Sequence, residues 1–118
     1  MIFLETARRV RAGVRLLDKK IPGWRHVLRR HVEQFDFADG DHCVLGTLEH
    51  YSGRMKVLAR KHREHDDYSR FDSALKALGI KDEVGFGFDC ANRFQGWEEE
   101  GALLDALWRA EFEKETRP

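Results

Sequence analysis

Apolar residues recur every three or four positions at the start of the chain, and this spacing most limits the folds open to it. Leu4, Ala7, Val10, Val14 and Leu17 are separated by steps of 3, 3, 4 and 3 residues. Side chains at such spacings line one face of an α-helix. The arginines between them fall off that face, so the sequence predicts an amphipathic helix whose outer surface is basic.

Helical spacing returns in later parts of the chain. It is seen near residues 22–33, 44–51, 68–78 and 97–112, and a further short segment starts at Met55. The chain has only two prolines, which favours a helix-rich domain over one with proline-rich linkers. These patterns together predict a mainly α protein.

Individual residues indicate where several helices begin and end. Pro22 suits the first position of the second helix, because its fixed φ angle is compatible with a first turn. Asp39 and Asp41 are candidates for the N-cap of the third helix. Gly79 is expected to end the helix over 68–78, since glycine readily adopts the left-handed conformation of a C-cap.

Two short stretches alternate instead of following the helical period. Phe35 and Phe37 flank an aspartate, and Val84, Phe86 and Phe88 are separated by glycines. Strict alternation is typical of extended backbone, although glycine is unfavourable in a strand. We therefore expect one or two short extended segments.

The length and hydrophobic content of the chain indicate a single compact domain over residues 1–118. The 118 residues match one ordinary domain, and a 42% hydrophobic share is enough to form a core. We expect a mainly α domain of about five helices with one or two short extended segments. The core is predicted to contain Leu17, Trp24, Leu28, Leu45, Leu48, Leu75, Leu78, Leu104, Leu107 and Trp108.

The charges of the chain balance overall but are unevenly distributed. The net charge is zero, yet residues 1–35 carry +6, residues 36–63 carry +1 and residues 64–118 carry −7. A neutral total argues against a protein that coats DNA, which would be basic throughout. The gradient leaves two interpretations, namely that the two ends attract each other in the fold or a homodimer, or that a basic face is available to a partner.

Arginines of the first two helices are the candidate binding residues. They would form one positive surface if these helices lie side by side, and such surfaces attract acidic proteins and phosphates alike. The alternative is an ordinary solvated helix face. The candidate partner-binding residues are Arg8, Arg11, Arg15, Arg25 and Arg29.

Candidate metal and thiol chemistry is poorly specified. His62 and His65 lie three residues apart beside Asp66, but the spacing specifies no third or fourth ligand, so we expect no metal or other cofactor. Cys43 lies at the start of a predicted helix, where a thiol can become nucleophilic. Its apolar neighbours instead indicate a buried structural cysteine.

Known targeting, membrane and catalytic motifs are not recognisable in the sequence. The N-terminus lacks the charged and apolar regions of a signal peptide, and no apolar run is long enough to cross a bilayer. The two isolated cysteines fit a reducing compartment. We therefore expect a cytoplasmic protein. Phosphate-loop, hydrolase and kinase motifs are missing, which favours a non-enzymatic role.

Several short sequences occur in a fixed order over most of the chain. They are Gly-Val-Arg-Leu-Leu-Asp at 13–18, Pro-Gly-Trp at 22–24, Asp-His-Cys-Val-Leu-Gly at 41–46, Gly-Phe-Asp at 87–89 and a C-terminal helix containing tryptophan. In this layout the chain resembles a group of small uncharacterised proteins from actinobacteria and their bacteriophages, departing from it at residues 60–67. The resemblance implies a compact intracellular protein encoded by a phage, and it carries over no activity or catalytic residue.

The sequence favours a small non-enzymatic protein that binds a protein partner, which would be a host protein in the host cytoplasm if the chain is phage-encoded. One alternative is a nucleic-acid-binding accessory protein that uses the basic N-terminal helices. Another is a small metal-dependent or thiol enzyme that uses His62, His65 and Asp66, or Cys43.

Overall fold

Helices account for most of the backbone that the structure describes. A computed structural model describes residues 2–39, 41–60, 70–89 and 97–114. Within these ranges there are six α-helices, one short 3-10 helix at Val32–Gln34 and no β-strand. The α-helices are α1 (Ile2–Lys20), α2 (Trp24–Arg30), α3 (Val44–Tyr51), α4 (Gly53–Arg60), α5 (Arg70–Leu78) and α6 (Trp97–Glu113). The prediction of a mainly α fold is confirmed.

The long first helix follows the apolar period of its sequence. Val10, Val14 and Leu17 are buried, as the spacing predicts. Lys19 and Lys20 lie in the last turn, where positive charge interacts favourably with the helix dipole. The Nζ atom of Lys20 also donates a hydrogen bond of 2.9 Å to the carbonyl of Leu78, which ties the end of α1 to the end of α5.

The second helix begins two residues later than Pro22 predicts. Gly23 precedes the helix with a φ angle of 86°, a left-handed conformation that glycine adopts without steric cost. The Trp24 amide donates to the Ile21 carbonyl across this turn, at 3.1 Å. The prediction that Pro22 is the first helical residue is therefore wrong, because the proline lies in the turn between α1 and α2.

A thiol, and not a carboxylate, caps the third helix. The Sγ atom of Cys43 accepts a hydrogen bond from the Gly46 amide at 3.4 Å. Asp39 instead accepts from the Asp41 amide at 2.9 Å, within the preceding loop. The prediction that Asp39 or Asp41 caps α3 is therefore wrong, because both aspartates lie in the loop before the cap.

The helices pack as two groups that meet at α2 and α3. In the first group α6 packs against α1 and α2, and in the second α3 packs against α4 and α5. The radius of gyration is 13.4 Å, as expected of a compact domain of this length. No helix in the described ranges combines the length and apolar content needed to cross a bilayer.

Aromatic side chains join the two ends of the sequence in the core. The Trp24 and Trp108 rings meet edge to face with centroids 5.7 Å apart, and Phe88 stacks on Trp108 at 5.3 Å. Phe35 contacts Phe112 edge to face at 5.2 Å. The predicted core is confirmed except that two of its members are only partly buried and pack against its edge, namely Leu75 and Leu107.

Residues 84–88 form turns, so the extended conformation predicted there is wrong. The Gly87 amide donates to the Val84 carbonyl at 3.0 Å, and Gly87 has a φ angle of 72°. A Cβ atom on Gly87 would lie 2.9 Å from the backbone of Val10. The glycine therefore provides both the left-handed turn and the close approach of this segment to α1.

Candidate functional site

Four basic side chains lie in a line along the outer face of α1. Arg8, Arg11, Arg15 and Lys19 are all exposed and fall within about 80° of one another around the helix axis. Their spacings of 3, 4 and 4 residues place successive side chains one helical turn apart. We call these four residues the basic stripe, which is about 16 Å long at the helical rise per residue.

The basic stripe is not neutralised within the part of the fold that the structure describes. None of its four side chains forms an ion pair with a described residue. Arginine and lysine side chains carry positive charge and offer only hydrogen-bond donors. The stripe is therefore a row of solvated positive charge with hydrogen-bond donors that a partner can use.

Both ends of the basic stripe carry side chains of other chemistry. At the N-terminal end Leu4 is 59% exposed and lies one turn before Arg8 on the same face. Glu5 is also exposed there and accepts a hydrogen bond from Arg9 at 2.7 Å. Near the C-terminal end Asp18 lies between Arg15 and Lys19, is half exposed and pairs with Arg25. The positive surface of α1 thus has an apolar residue at its N-terminal end and a carboxylate near each end.

The candidate arginines of α2 face α6 instead of joining the stripe. Arg25 bonds Asp18 at 2.7 Å and lies 3.8 Å from a carboxylate oxygen of Glu111, and its guanidinium stands over the Trp24 ring. Arg29 donates to the Lys114 carbonyl at 3.4 Å. Of the five candidate binding residues, three lie together on α1, and two contact the C-terminal part of the chain.

Arg9 is an arginine of α1 that the basic stripe does not include. It lies on the flank of the helix, where it bonds Glu5 and approaches Glu100 of α6 at 3.7 Å. With Arg25 and Glu111, this pair shows that the basic and acidic ends of the chain meet in the fold. The first interpretation of the charge gradient, attraction between the two ends, therefore holds for Arg9 and Arg25, whereas a basic face available to a partner stays a prediction for the basic stripe.

The thiol of Cys43 is buried, as the sequence predicts. Burial raises the pKa of this thiol to about 11, although hydrogen bonds to backbone amides oppose the shift. The thiol form is therefore favoured over the thiolate at neutral pH. The side chain caps α3, and its protonation state is unsuited to nucleophilic chemistry.

An Asp–His pair in the loop before α3 was not among the candidates from sequence. Asp39 Oδ2 lies 2.8 Å from Nδ1 of His42. The backbone hydrogen bond from Asp41 lowers the pKa of Asp39, and the hydrogen bond with His42 lowers that pKa further. A carboxylate in this position can orient an imidazole ring. The only sequence signal was the three-residue spacing, which is common in polar loops.

A second group of aromatic and titratable side chains lies where α2 and α3 end. The His31 ring stacks on Tyr51 with centroids 3.5 Å apart, and His50 meets the same ring edge on at 4.2 Å. Desolvation by burial lowers the pKa of His50, and the positive charges of Arg70 and Lys56 lower it further. These contacts fix the end of α3 against α2 and favour neutral His50 at pH 7.

The metal-site candidates from sequence, His62, His65 and Asp66, lie outside the described residues. Among the residues that the structure describes, no cluster of three or more His, Cys, Asp or Glu side chains is arranged to hold a metal ion.

Comparison with known proteins identifies no relative from which a function could be transferred. No protein-family model matches the chain, and neither a curated protein nor a solved structure matches it. The basic stripe on α1 is therefore the candidate site on geometric and electrostatic grounds.

Proposed function

We propose that this protein is a binding module whose α1 outer face recognises an acidic protein surface. The observation that supports this proposal is the basic stripe, in which four exposed cations share one helix face without a described ion-pair partner. A row of cations has unfavourable self-repulsion, which a partner that carries carboxylates would relieve. Arg8, Arg11 and Arg15 are the residues that we expect to carry binding.

Three features favour a protein partner over a nucleic acid. The carboxylates of Glu5 and Asp18, each paired with an arginine, lie beside the stripe and interrupt the positive surface that a phosphate backbone would follow. Leu4 adds an exposed apolar contact on the same face. The chain as a whole is neutral, whereas nucleic-acid-binding domains are usually basic. A short acidic surface with an apolar edge would complement all three features.

The sequence resemblance to proteins of actinobacteria and their bacteriophages makes a bacterial protein the partner that we propose. A chain encoded by a phage would meet that partner in the host cytoplasm. It would act there by occupying the partner's acidic surface, without chemistry of its own. The proposal therefore requires no cofactor and no catalytic residue.

Affinity capture with matched charge variants tests this function. The bait is the full chain, either unchanged or carrying Arg8→Glu, Arg11→Glu and Arg15→Glu together. The control carries Arg30→Glu, because Arg30 is exposed on α2 and lies outside the stripe, and it is compared with Arg11→Glu alone, which makes the same change of −2 in net charge. We expect a bacterial lysate to yield a stoichiometric protein that the unchanged chain and the control retain and that the triple variant loses.

Nuclease treatment distinguishes a direct protein contact from one in which nucleic acid links the bait to the captured protein. A partner that survives nuclease treatment and elutes as salt increases supports an electrostatic protein interface. Capture that nuclease abolishes would instead support the nucleic-acid alternative. A partner retained equally by the triple variant would exclude the α1 face as the binding site.

A further inference from the structure

The spacing along α1 contains information about the shape of the partner as well as its charge. Leu4, Arg8, Arg11, Arg15 and Asp18 are separated by steps of 4, 3, 4 and 3 residues. These steps average 3.5 residues, which is the repeat of a helix face that packs lengthwise on another helix. The part of the exposed face from Leu4 to Asp18 therefore follows the register of a helix–helix seam, with arginines at its three central positions. Lys19 of the basic stripe lies at the edge of this seam, and Asp18 is already paired with Arg25.

We infer that the acidic partner surface is an α-helix that lies along α1 and presents carboxylates at matching positions. This inference rests on the proposed function, since it describes the partner of the same stripe. The partner helix would carry Glu or Asp at steps of three and four residues opposite Arg8, Arg11 and Arg15. It would carry one apolar residue opposite Leu4, which sets its direction along α1.

The rise of the backbone distinguishes a helix from an extended acidic segment. Side chains on one face of a helix recur about every 4.5–6 Å, so the side chains of a partner helix have the same spacing as the arginines of α1. Side chains on one face of an extended strand recur about every 6.6–6.8 Å, so over three contacts they drift about 3 Å from the arginines. A helical partner therefore matches three consecutive carboxylate–guanidinium pairs more closely than an extended one.

The arginine stems provide the packing that an exposed charge row lacks. Each guanidinium sits on an apolar chain of three methylene groups, which can lie along a neighbouring helix while the charged group reaches a carboxylate. Arg8, Arg11 and Arg15 are exposed, so none of these stems is buried in the core. The seam would thus combine apolar stem contacts with peripheral ion pairs.

Two synthetic peptides of equal length and composition test the shape of the partner. One carries its glutamates at heptad spacing on a single helix face, and the other distributes the same glutamates around the helix. We expect the full chain to bind the striped peptide at least about tenfold more tightly by fluorescence anisotropy, since several weak ion pairs act together. A proline at the centre of the striped peptide should abolish that advantage.

A charge exchange tests the register of the seam. Arg11→Glu should weaken binding of the striped peptide, and a peptide with lysine in place of its central glutamate should restore it. Arg30→Glu is the control and should leave binding unchanged, because this residue lies on α2. Rescue by the exchanged peptide alone would establish that Arg11 faces that position of a partner helix.

Other outcomes overturn the inference in distinguishable ways. Equal binding of the two peptides by the unchanged chain would exclude a helical register. If the triple arginine variant then bound neither peptide, the proposed function as a binder of acidic protein surfaces would still be supported. Self-association of the unchanged chain in sedimentation, lost in the triple variant, would assign the stripe to a second copy and exclude an external helix. If neither peptide binds, a helical partner is excluded. The proposed function itself is then decided by the affinity-capture experiment alone.

Discussion

Three arginines on the outer face of α1 and Arg25 of α2 have the same chemistry but different surroundings. Arg8, Arg11 and Arg15 point into solvent, and no described carboxylate pairs with them. Arg25 is held by Asp18, by Glu111 and by the Trp24 ring. The difference teaches that charge alone does not mark a binding surface, because an arginine already engaged in the fold has few donors left for a partner.

The C-terminal helix is the element that separates the two sets. α6 packs against both α1 and α2, and its carboxylates reach Arg9 on one helix and Arg25 on the other. The outer face of α1 lies on the side away from the buried residues, so α6 cannot reach it. Exposed and engaged arginines can therefore be told apart by perturbing α6 and its contacts.

The largest expected effect comes from removing the central side chain of α6. Trp108 is fully buried, contacts Trp24 and Phe88, and donates a hydrogen bond of 2.7 Å to the Gly87 carbonyl. Trp108→Ala should lower the free energy of unfolding by about 3–5 kcal/mol, as measured by urea denaturation. Ala106→Ser, on the exposed face of the same helix, should change it by less than about 0.5 kcal/mol. Equal stability of the two variants would contradict the central role of this side chain.

A smaller effect is expected at Gly13, where α1 packs tightly on Trp108 of α6. A Cβ atom on Gly13 would clash with the carbonyl of Phe86 and would lie 2.9 Å from the Trp108 ring. Gly13→Ala should therefore destabilise the fold by about 1–3 kcal/mol in thermal or urea unfolding, despite the better helix propensity of alanine. Gly53→Ala is the matched control, because Gly53 has open space around it and should be neutral or stabilising. A stabilised Gly13→Ala variant would show that the two helices are not in close contact.

The comparison between the two arginine sets is tested directly by truncating one member of each. Arg25→Ala removes its ion pairs with Asp18 and Glu111 and its contact with Trp24, so we expect a loss of about 1–2 kcal/mol. Arg11→Ala removes no described contact and should change the free energy of unfolding by less than about 0.5 kcal/mol. In binding assays the order should reverse, with Arg11→Ala having the larger effect. A similar response of both residues in both assays would remove the distinction between the sets.

Local pattern was sufficient to predict the helices, because each helix carries its own apolar repeat. Leu4 to Leu17 defined α1, and Gly79 ends α5 with a φ angle of 70°, as its position predicted. Residues 84–88 were assigned wrongly because alternation of phenylalanine and glycine is compatible with both a strand and successive turns. The deciding contacts are with Val10 and Trp108, which are far away in the sequence.

The candidate site was only partly predictable for the same reason. Spacing placed Arg8, Arg11 and Arg15 on one face of α1, and the structure confirms that they are exposed. The partners of Arg25 could not be anticipated, since its contact with Glu111 spans 86 residues. Helical periodicity specifies which face an arginine occupies, whereas only the tertiary fold specifies what that face meets.

Two adjacent arginines of α1 provide the finest test of this argument. Arg9 reaches Glu5 and Glu100, whereas Arg8 lies one residue earlier on the exposed face without a described ion pair. Arg9→Ala should cost about 0.5–1 kcal/mol of unfolding free energy, because both of its ion pairs are weak or partly exposed. Arg8→Ala should cost nothing measurable, yet it should weaken binding of an acidic partner, which Arg9→Ala should not. If the two variants unfold and bind alike, the face of α1 on which an arginine lies does not decide its role, and the division between engaged and available arginines fails.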